Sequence, residues 1–375
     1  MNRNLIYIAL ALLTWGFGEG MFFEFVPIYL EKQFLLGKVQ IGWVLGAFGL
    51  SMAVTHIPAG RLADRFGRRQ LLFAAWVVGL VSTLIMAQAL ILPIYLIGLF
   101  GYGLTAFVAS PLSSYVTAAR GKWPVSTVLS LTTATFGMGM VLGPLAGGWI
   151  GDHYGMRTSF WVAAVVFIVS TGFIFFIKKQ PIDRHDPDTP PPALQENRQF
   201  VGFMAVLGFA IFAMYLAQPL TPNFLEGVRG LTLSETGIVF TAGALGNSLI
   251  AITFSRVSPR KGFLIAQSLV IFFALFIWQG TSLPVFALGY FLRGGFRAAR
   301  PLAFAEAREL VHDSQMGMAY GVMETISAVI LILTPPLAGF LFEIEPTILY
   351  PLAMGLIVIS IAVSHFYASR KVSHA

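Results

Sequence analysis

Six ionisable side chains fall inside apolar stretches of this sequence: Glu19, Glu24 and Glu324, and Arg293, Arg297 and Arg300. Each stretch is about the 20 residues that cross a bilayer, where a charged group costs a few kcal/mol and is a functional hypothesis by default. Ionisation of a carboxylate is disfavoured among apolar side chains, so Glu19, Glu24 and, next, Glu324 are proton-coupling candidates able to gain and lose a proton. Glu19 and Glu24 point roughly 140° apart at about 100° per residue, so they cannot both face one cavity squarely. Arginine stays ionised, and its planar fork suits carboxylate or phosphate. Arg293, Arg297 and Arg300, spaced i, i+4 and i+7, share one helical face in a ladder about 10 Å long. That ladder is either a substrate-binding site for an anionic group or the counter-charge to the acids, for example in a fixed pair of Arg297 with Glu324.

Further polar groups are weaker signals. Trp15, four residues before Glu19, and Gln218 and Asn223 are additional substrate-binding candidates, and Phe22 and Phe23 are candidates for a cavity wall. His56, Gln88 and Asn247 read as hydrogen bonders between packed helices. Asp152, His153 and Arg157 are expected in a solvated loop. The histidines show no metal-ligand spacing, and no Gly-x4-Gly-Lys-Ser/Thr run exists to hold nucleotide phosphates. Without a nucleophile, base or metal cluster at readable spacing, the sequence does not read as an enzyme, and no cofactor is expected.

The elements that must position these groups follow from composition. With 57% hydrophobic and 11% charged residues and a mean hydropathy of +0.77, the 375-residue chain reads as an all-α membrane protein. Cys is absent, so disulfides and thiolate sites are excluded. Hydropathy predicts twelve transmembrane helices near residues 5–30, 39–59, 70–89, 92–118, 125–150, 157–177, 199–225, 235–255, 262–280, 283–307, 314–342 and 346–368. Met1 to Leu13 reads as the start of a retained first helix. The stretch 179–198 is Pro-rich and charged, and it reads as a flexible linker between six-helix halves at 1–178 and 199–375. The +7 balance does not form a nucleic-acid-binding patch, because the basic residues are scattered through short loops. With both termini cytoplasmic, only Lys32, Lys38, Arg157 and Arg229 among the 24 Lys and Arg fall outside, apart from the three arginines of the tenth span. The positive-inside rule favours that orientation.

The halves repeat one another. Pro27-Ile-Tyr-Leu-Glu31 returns as Pro222-Asn-Phe-Leu-Glu226, Leu92-Pro-Ile-Tyr95 as Leu283-Pro-Val-Phe286, and Pro144-Leu-Ala-Gly147 as Pro336-Leu-Ala-Gly339. The last offset sets Arg68 and Arg69 against Arg260 and Lys261. Under these alignments Glu19 faces Met214, Glu24 faces Pro219, Arg293 faces Tyr102, Arg297 faces Ala106 and Glu324 faces Thr132. A charge the fold required would tend to recur in both halves, so the six charges read as additions for function.

Between the second and third spans, Gly60, Leu62, Ala63, Asp64, Arg65, Gly67, Arg68 and Arg69 resemble the signature loop of the major facilitator superfamily, Gly-x-Leu-Ala-Asp-Arg-x-Gly-Arg-Arg/Lys. The resemblance covers essentially the whole chain. It implies two pseudo-symmetric six-helix halves around a cavity lined mainly by helices one, four, seven and ten, with alternating access. It also implies a gating role for Gly60, Asp64, Arg65, Gly67, Arg68 and Arg69. In the fifth span, Gly139, Gly143, Pro144, Gly147 and Gly148 resemble the Gly-x3-Gly-Pro-x2-Gly-Gly element of the superfamily's proton-driven exporters, which adds Gly143 and Pro144 to the gating set. An arginine common in the fourth helix of such exporters is missing from Ile97 to Gly103, and the helix-ten arginines are a possible substitute. The expected function is proton-coupled export of small amphipathic molecules by a bacterial inner-membrane transporter, acting as a monomer in the lipid bilayer. The alternative is a proton-coupled importer or lipid-moving carrier of an anionic substrate recognised by the helix-ten arginines.

Overall fold

The structure is a computed structural model that describes residues 3–178, 197–254, 257–308, 310–311 and 316–372, with the side chains of 56–66, 110, 126, 308, 316–318 and 368–372 left out. Over these residues the fold is helical. The first half runs α1 (Arg3–Phe22), a 3-10 turn (Phe23–Phe25), α2 (Val26–Phe34), α3 (Lys38–Phe66), α4 (Arg68–Gln88), α5 (Leu92–Leu104), a 3-10 turn (Thr105–Val108), α6 (Ala109–Ala119), α7 (Val125–Tyr154) and α8 (Met156–Phe175). The second runs α9 (Arg198–Tyr215), α10 (Thr221–Asn223), a π turn (Phe224–Val228), α11 (Leu233–Phe254), α12 (Pro259–Gln279), α13 (Leu283–Leu292), α14 (Gly294–Arg308), α15 (Met316–Ile344) and α16 (Leu349–Val372). Eleven helical stretches among the described residues are long and apolar enough to cross a membrane. The remaining expected span, 283–307, is built from α13 and α14 with Arg293 as a turn between them.

Four spans are interrupted near their middles, and they are the first, fourth, seventh and tenth. Hydropathy is blind to this, because both sides of each break are apolar. Proline supplies a local cause. Pro27 and Pro222 sit in the first turn after a break, and Pro111 follows the turn at Thr105–Val108; each lacks the N–H that would continue the helical ladder. In the seventh span polar side chains repair the damage. The Gln218 backbone N–H bonds Tyr215 O instead of Met214 O, and the Gln218 amide donates to the Met214 carbonyl at 2.8 Å. At the tenth, Gly294 lies so close to the backbone of Gly246 and Asn247 that a Cβ would meet Asn247 N at 2.8 Å.

By packing, the chain divides into two compact units. Unit 1 comprises Met1–Leu35, Ala47–Asp186 and Leu231–Thr241; unit 2 comprises Leu36–Gly46, Pro187–Gly230 and Ala242–Ala375. These differ from the halves 1–178 and 199–375 by two exchanged segments, the starts of α3 and α11. Residues 179–196 of the expected linker lie outside the described residues. Its flanks are anchored: Tyr115 donates to Lys178 O at 2.6 Å, and Asn197 caps α9 by accepting from the Phe200 N–H at 3.0 Å.

The loop between α3 and α4 turns at Gly67, with φ 84° and ψ 146°, a region open to glycine alone at low cost. Beyond it, Arg69 donates from Nε to Ile177 O at 2.6 Å and from its terminal nitrogen to Phe175 O at 3.1 Å, closing the C-terminus of α8. In unit 2 Arg260 reaches His365 O near the end of α16 at 3.4 Å. Arg69 and Arg260 therefore hold equivalent places, 191 positions apart, where the sequence alignment set Arg68 against Arg260. A cation on orphan carbonyls at a helix C-terminus is favourable twice over, by charge-assisted bonds and by the helix dipole. Arg69→Ala is expected to lower stability by about 1–2 kcal/mol, discounted for partial exposure. Arg260→Ala, with one long bond to lose, is expected to cost less than half of that. Thermal unfolding in detergent of the two variants side by side checks the ratio, and equal losses would contradict it.

Candidate functional site

Unit 1 carries its charge on α1. Residues 15, 19 and 22 lie on one helical face, at i, i+4 and i+7. Trp15 and Phe22 are buried there among Trp76, Tyr102, Phe160 and Phe167. Trp15 stacks on Phe167 with centroids 4.1 Å apart. Half-buried Glu19 lies at this aromatic wall, and its Oε2 accepts two hydrogen bonds, from the Trp15 indole N–H at 3.2 Å and from the Tyr102 hydroxyl at 2.8 Å. The wall is itself fixed by polar ties: the Trp76 indole donates to Ser170 Oγ at 2.8 Å, and that hydroxyl donates to Ala11 O at 2.7 Å.

Glycines set this geometry from behind. On the adjoining face of α1, Gly16 and Gly20 meet α7 at Phe136 and Gly143, while Gly139, Gly143 and Gly147 bring α7 onto the backbone of Leu13 to Met21. Small residues at that spacing allow close helix approach in lipid. The glycine-proline element thus divides its work: Gly139, Gly143 and Gly147 seat α1, whereas the Pro144 carbonyl and Gly148 face the start of α11. Tyr102 is held from its own side, because Gly98 and Gly101 pack on α4 and Gly103 on α3.

Glu24 occupies the 3-10 turn between α1 and α2 and is half-buried. An ideal-helix angle between Glu19 and Glu24 therefore does not describe them, because the helix is interrupted at Glu24 itself.

In unit 2 the expected ladder is split. Arg293 lies in the break between α13 and α14, with its guanidinium 4.6 Å from the centroid of the Tyr290 ring and beside Gly243 of α11. Arg297 is exposed on α14. Arg300 forms an ion pair with Glu324 of α15, their side chains 58% and 44% exposed. The sequence offers Arg297 as one example of a partner for Glu324; Arg300, one further turn along α14, pairs with it in the structure. Arg297, Arg300 and Glu324 are thus exposed on unit 2 within spans, a placement that is costly for ionised groups against hydrocarbon. An ion pair as exposed as Arg300–Glu324 is worth about 1 kcal/mol or less in water.

The other substrate-binding candidates sit differently. Gln218 and Asn223 are buried in the interrupted seventh span, Gln218 spending its amide on the backbone. Trp15 is 8% exposed, and its polar atom is engaged by Glu19. Among the gating candidates, Gly67, Arg68 and Arg69 lie at the start of α4; the side chains of Gly60, Asp64 and Arg65, like that of His56, are outside the described set. Two residues placed in a solvated loop do more than that. Arg157 closes the C-terminus of α4, donating to Ala87 O at 2.7 Å and Gln88 O at 3.0 Å, and Asp152 holds the first turn of α11. In the sequence Tyr102 stands out only as the neutral counterpart of Arg293 in the repeat. That alignment was the available signal: one repeat position bears a charge in one half and a phenol in the other, and in both it sits where a span breaks.

Known proteins resemble this chain in sequence and in fold. The profile of the Major Facilitator Superfamily matches residues 8–261. Multidrug resistance protein 2 of Bacillus subtilis (strain 168) is 21% identical over 99% of this chain and 96% of its own length. Multidrug resistance protein MdtG of Proteus mirabilis (strain HI4320) is 27% identical over 70% of this chain and 66% of its own. Among solved structures, the nucleoside transporter NupG has a TM-score of 0.80 at 12% identity, covering 98% of this chain and 99% of that one. The POT family transporter PepTSo has a TM-score of 0.78 at 12% identity, covering 99% and 98%. Those likenesses fix the fold, and the profile spans more than half of the sequence, including the Gly67 turn and the glycine-seated first helix. The chain belongs to the major facilitator superfamily, a family of transporters rather than enzymes.

Proposed function

We propose that this transporter is a proton-coupled exporter of small amphipathic molecules, working by alternating access as a monomer in a bacterial inner membrane. Both termini lie in the cytoplasm, and the proton gradient rather than a bound cofactor drives it. The observation that carries the reading is Glu19: a mid-span carboxylate with two fixed donors, absent from the mirrored half and placed on one of the four interrupted spans. Glu24 and Glu324 are the further proton-coupling groups. Relatives named as multidrug resistance proteins support the export of varied small molecules. In proteoliposomes carrying an imposed pH gradient, movement of a fluorescent amphipathic cation is expected to follow the gradient and to stop when an ionophore collapses it. Transport indifferent to that collapse would overturn the coupling.

A second reading rests on the exposed charges of unit 2. Arg297 and Arg300, exposed in mid-span, suit an importer or lipid-moving carrier of an anionic substrate, and a structural neighbour is named as a nucleoside transporter. Arg297→Gln separates the two, since it should abolish binding of anions with the folded yield unchanged only if this second reading holds.

A further inference from the structure

Two carboxylates do the same thing in the two units. Asp152, at the end of α7, accepts from the Leu233 and Ser234 N–H groups of α11 at 2.9 and 2.7 Å. Glu343, at the end of α15, accepts from the Val39 N–H of α3 at 3.1 Å. Asp152 and Glu343 are 191 positions apart, and Ser234 and Val39 are 195 apart. The rest of each seam follows the same two offsets. Gly148 lies on Leu233 as Gly339 lies on Lys38, and Gly237 on the Pro144 carbonyl as Gly42 on that of Pro335. Thr241 bonds Val141 O at 2.9 Å where Gly46 meets the Ile332 carbonyl. This contact register matches Pro144 to Pro335, one residue away from the match of Pro144 with Pro336 that the shared Pro-Leu-Ala-Gly suggests.

Neither helix needs the foreign carboxylate in order to start. α11 has its own capping box, Thr232 N–H to Glu235 at 2.9 Å and Glu235 N–H to Thr232 Oγ1 at 3.2 Å. Before α3, Gly37 N–H is taken by Gln40 at 2.9 Å. Asp152 and Glu343 thus add attachment between helices to ends already capped. Both are exposed, so water can replace the bonds when they part. The attached segments are those exchanged between the units: α11 starts in unit 1 and continues in unit 2, and α3 does the reverse. Any motion that carries α3 whole with residues 1–178 and α11 whole with residues 199–375 must therefore peel both segments from their seams.

We infer that Asp152 and Glu343 are a pair of gate residues that latch the membrane end remote from the N-terminus and release together as the carrier opens there. The inference rests on alternation, not on proton coupling, and its test uses neither substrate nor gradient. Because the chain has no cysteine, Val239→Cys and Ile41→Cys each give a single thiol at a fully buried position, one in each exchanged segment. Labelling by a membrane-impermeant maleimide in proteoliposomes is read with and without Asp152→Ala or Glu343→Ala. Either variant is expected to raise labelling at both positions about tenfold, the scale of one lost charge-assisted bond. A rise confined to the variant's own seam, or none, would make these carboxylates local fastenings and overturn the inference. Should the Asp152 variant fail to fold, Glu343→Ala carries the test alone: labelling must rise at Val239→Cys in the other seam, and no rise there overturns the inference.

Discussion

Glu19→Gln is expected to cut gradient-driven transport about 100-fold, a loss of the size that follows removal of an essential proton-transfer group, while leaving the protein folded. The asymmetry follows from the hydrogen bonds. A glutamine carbonyl can still accept from the Tyr102 hydroxyl and the Trp15 indole, so the aromatic wall keeps its polar ties and the cost in stability stays below about 1 kcal/mol. What the amide cannot do is bind and release a proton. Glu19→Ala behaves differently: two donors lose their acceptor, one of them on a buried phenol, and stability falls by about 2–3 kcal/mol in addition. Tyr102→Phe removes one donor and keeps the acid, so transport persists at an intermediate level. The measurement is transport per folded molecule across the three variants under a fixed pH gradient. If Glu19→Gln retains more than half of the parent rate, Glu19 is a fastener of α1 to α5 and the coupling group lies elsewhere.

Much of this arrangement is legible in the sequence, and the parts that are not share a physical reason. Apolar runs, the loop turning at Gly67 and the repeat of Pro27 with Pro222 are local patterns, and each corresponds to a feature of the helices. The interruptions of the spans are not visible to hydropathy, which measures transfer into lipid and not hydrogen-bond continuity; Pro27, Pro111, Pro222 and Gly294 are their only traces. Tyr102 escapes because its partner is 83 residues away and because a tyrosine in a span is unremarkable until its hydroxyl has an acceptor. Asp152 and Arg157 escape for a related reason. A charged residue beside a loop is ordinarily solvated, and only the arrival of another helix end gives it a backbone to hold. Around Pro144 the shared Pro-Leu-Ala-Gly and the contact register differ by one residue, because Pro335 and Pro336 are adjacent and only contacts choose between them.

The seat of α1 on α7 offers the largest expected effect on folding, through Gly143→Ala. A methyl there meets Gly20 Cα at 2.7 Å and Gly20 C at 2.8 Å. Those are backbone atoms, so no rotamer change relieves the clash and the helices must separate. Overpacking of this kind costs typically 1–3 kcal/mol, and the lost close approach along Gly139 and Gly147 carries Gly143→Ala to roughly 3 kcal/mol in all. Gly172→Ala is the control, since a Cβ at that position on α8 meets nothing within 4 Å; helix propensity there favours alanine by about 1 kcal/mol. Thermal unfolding should separate the two variants cleanly, and similar melting would mean that α1 is not seated by these glycines. The molecules of Gly143→Ala that do fold carry a second expectation. Gly20 and Glu19 are neighbours on α1, so a helix pushed off α7 shifts the carboxylate against Tyr102, whose own segment is pinned by Gly98, Gly101 and Gly103. Transport per folded molecule should therefore fall along with stability in Gly143→Ala and stay at the parent level in Gly172→Ala, because the same glycine contact that holds the helix also sets the distance between the acid and its donor.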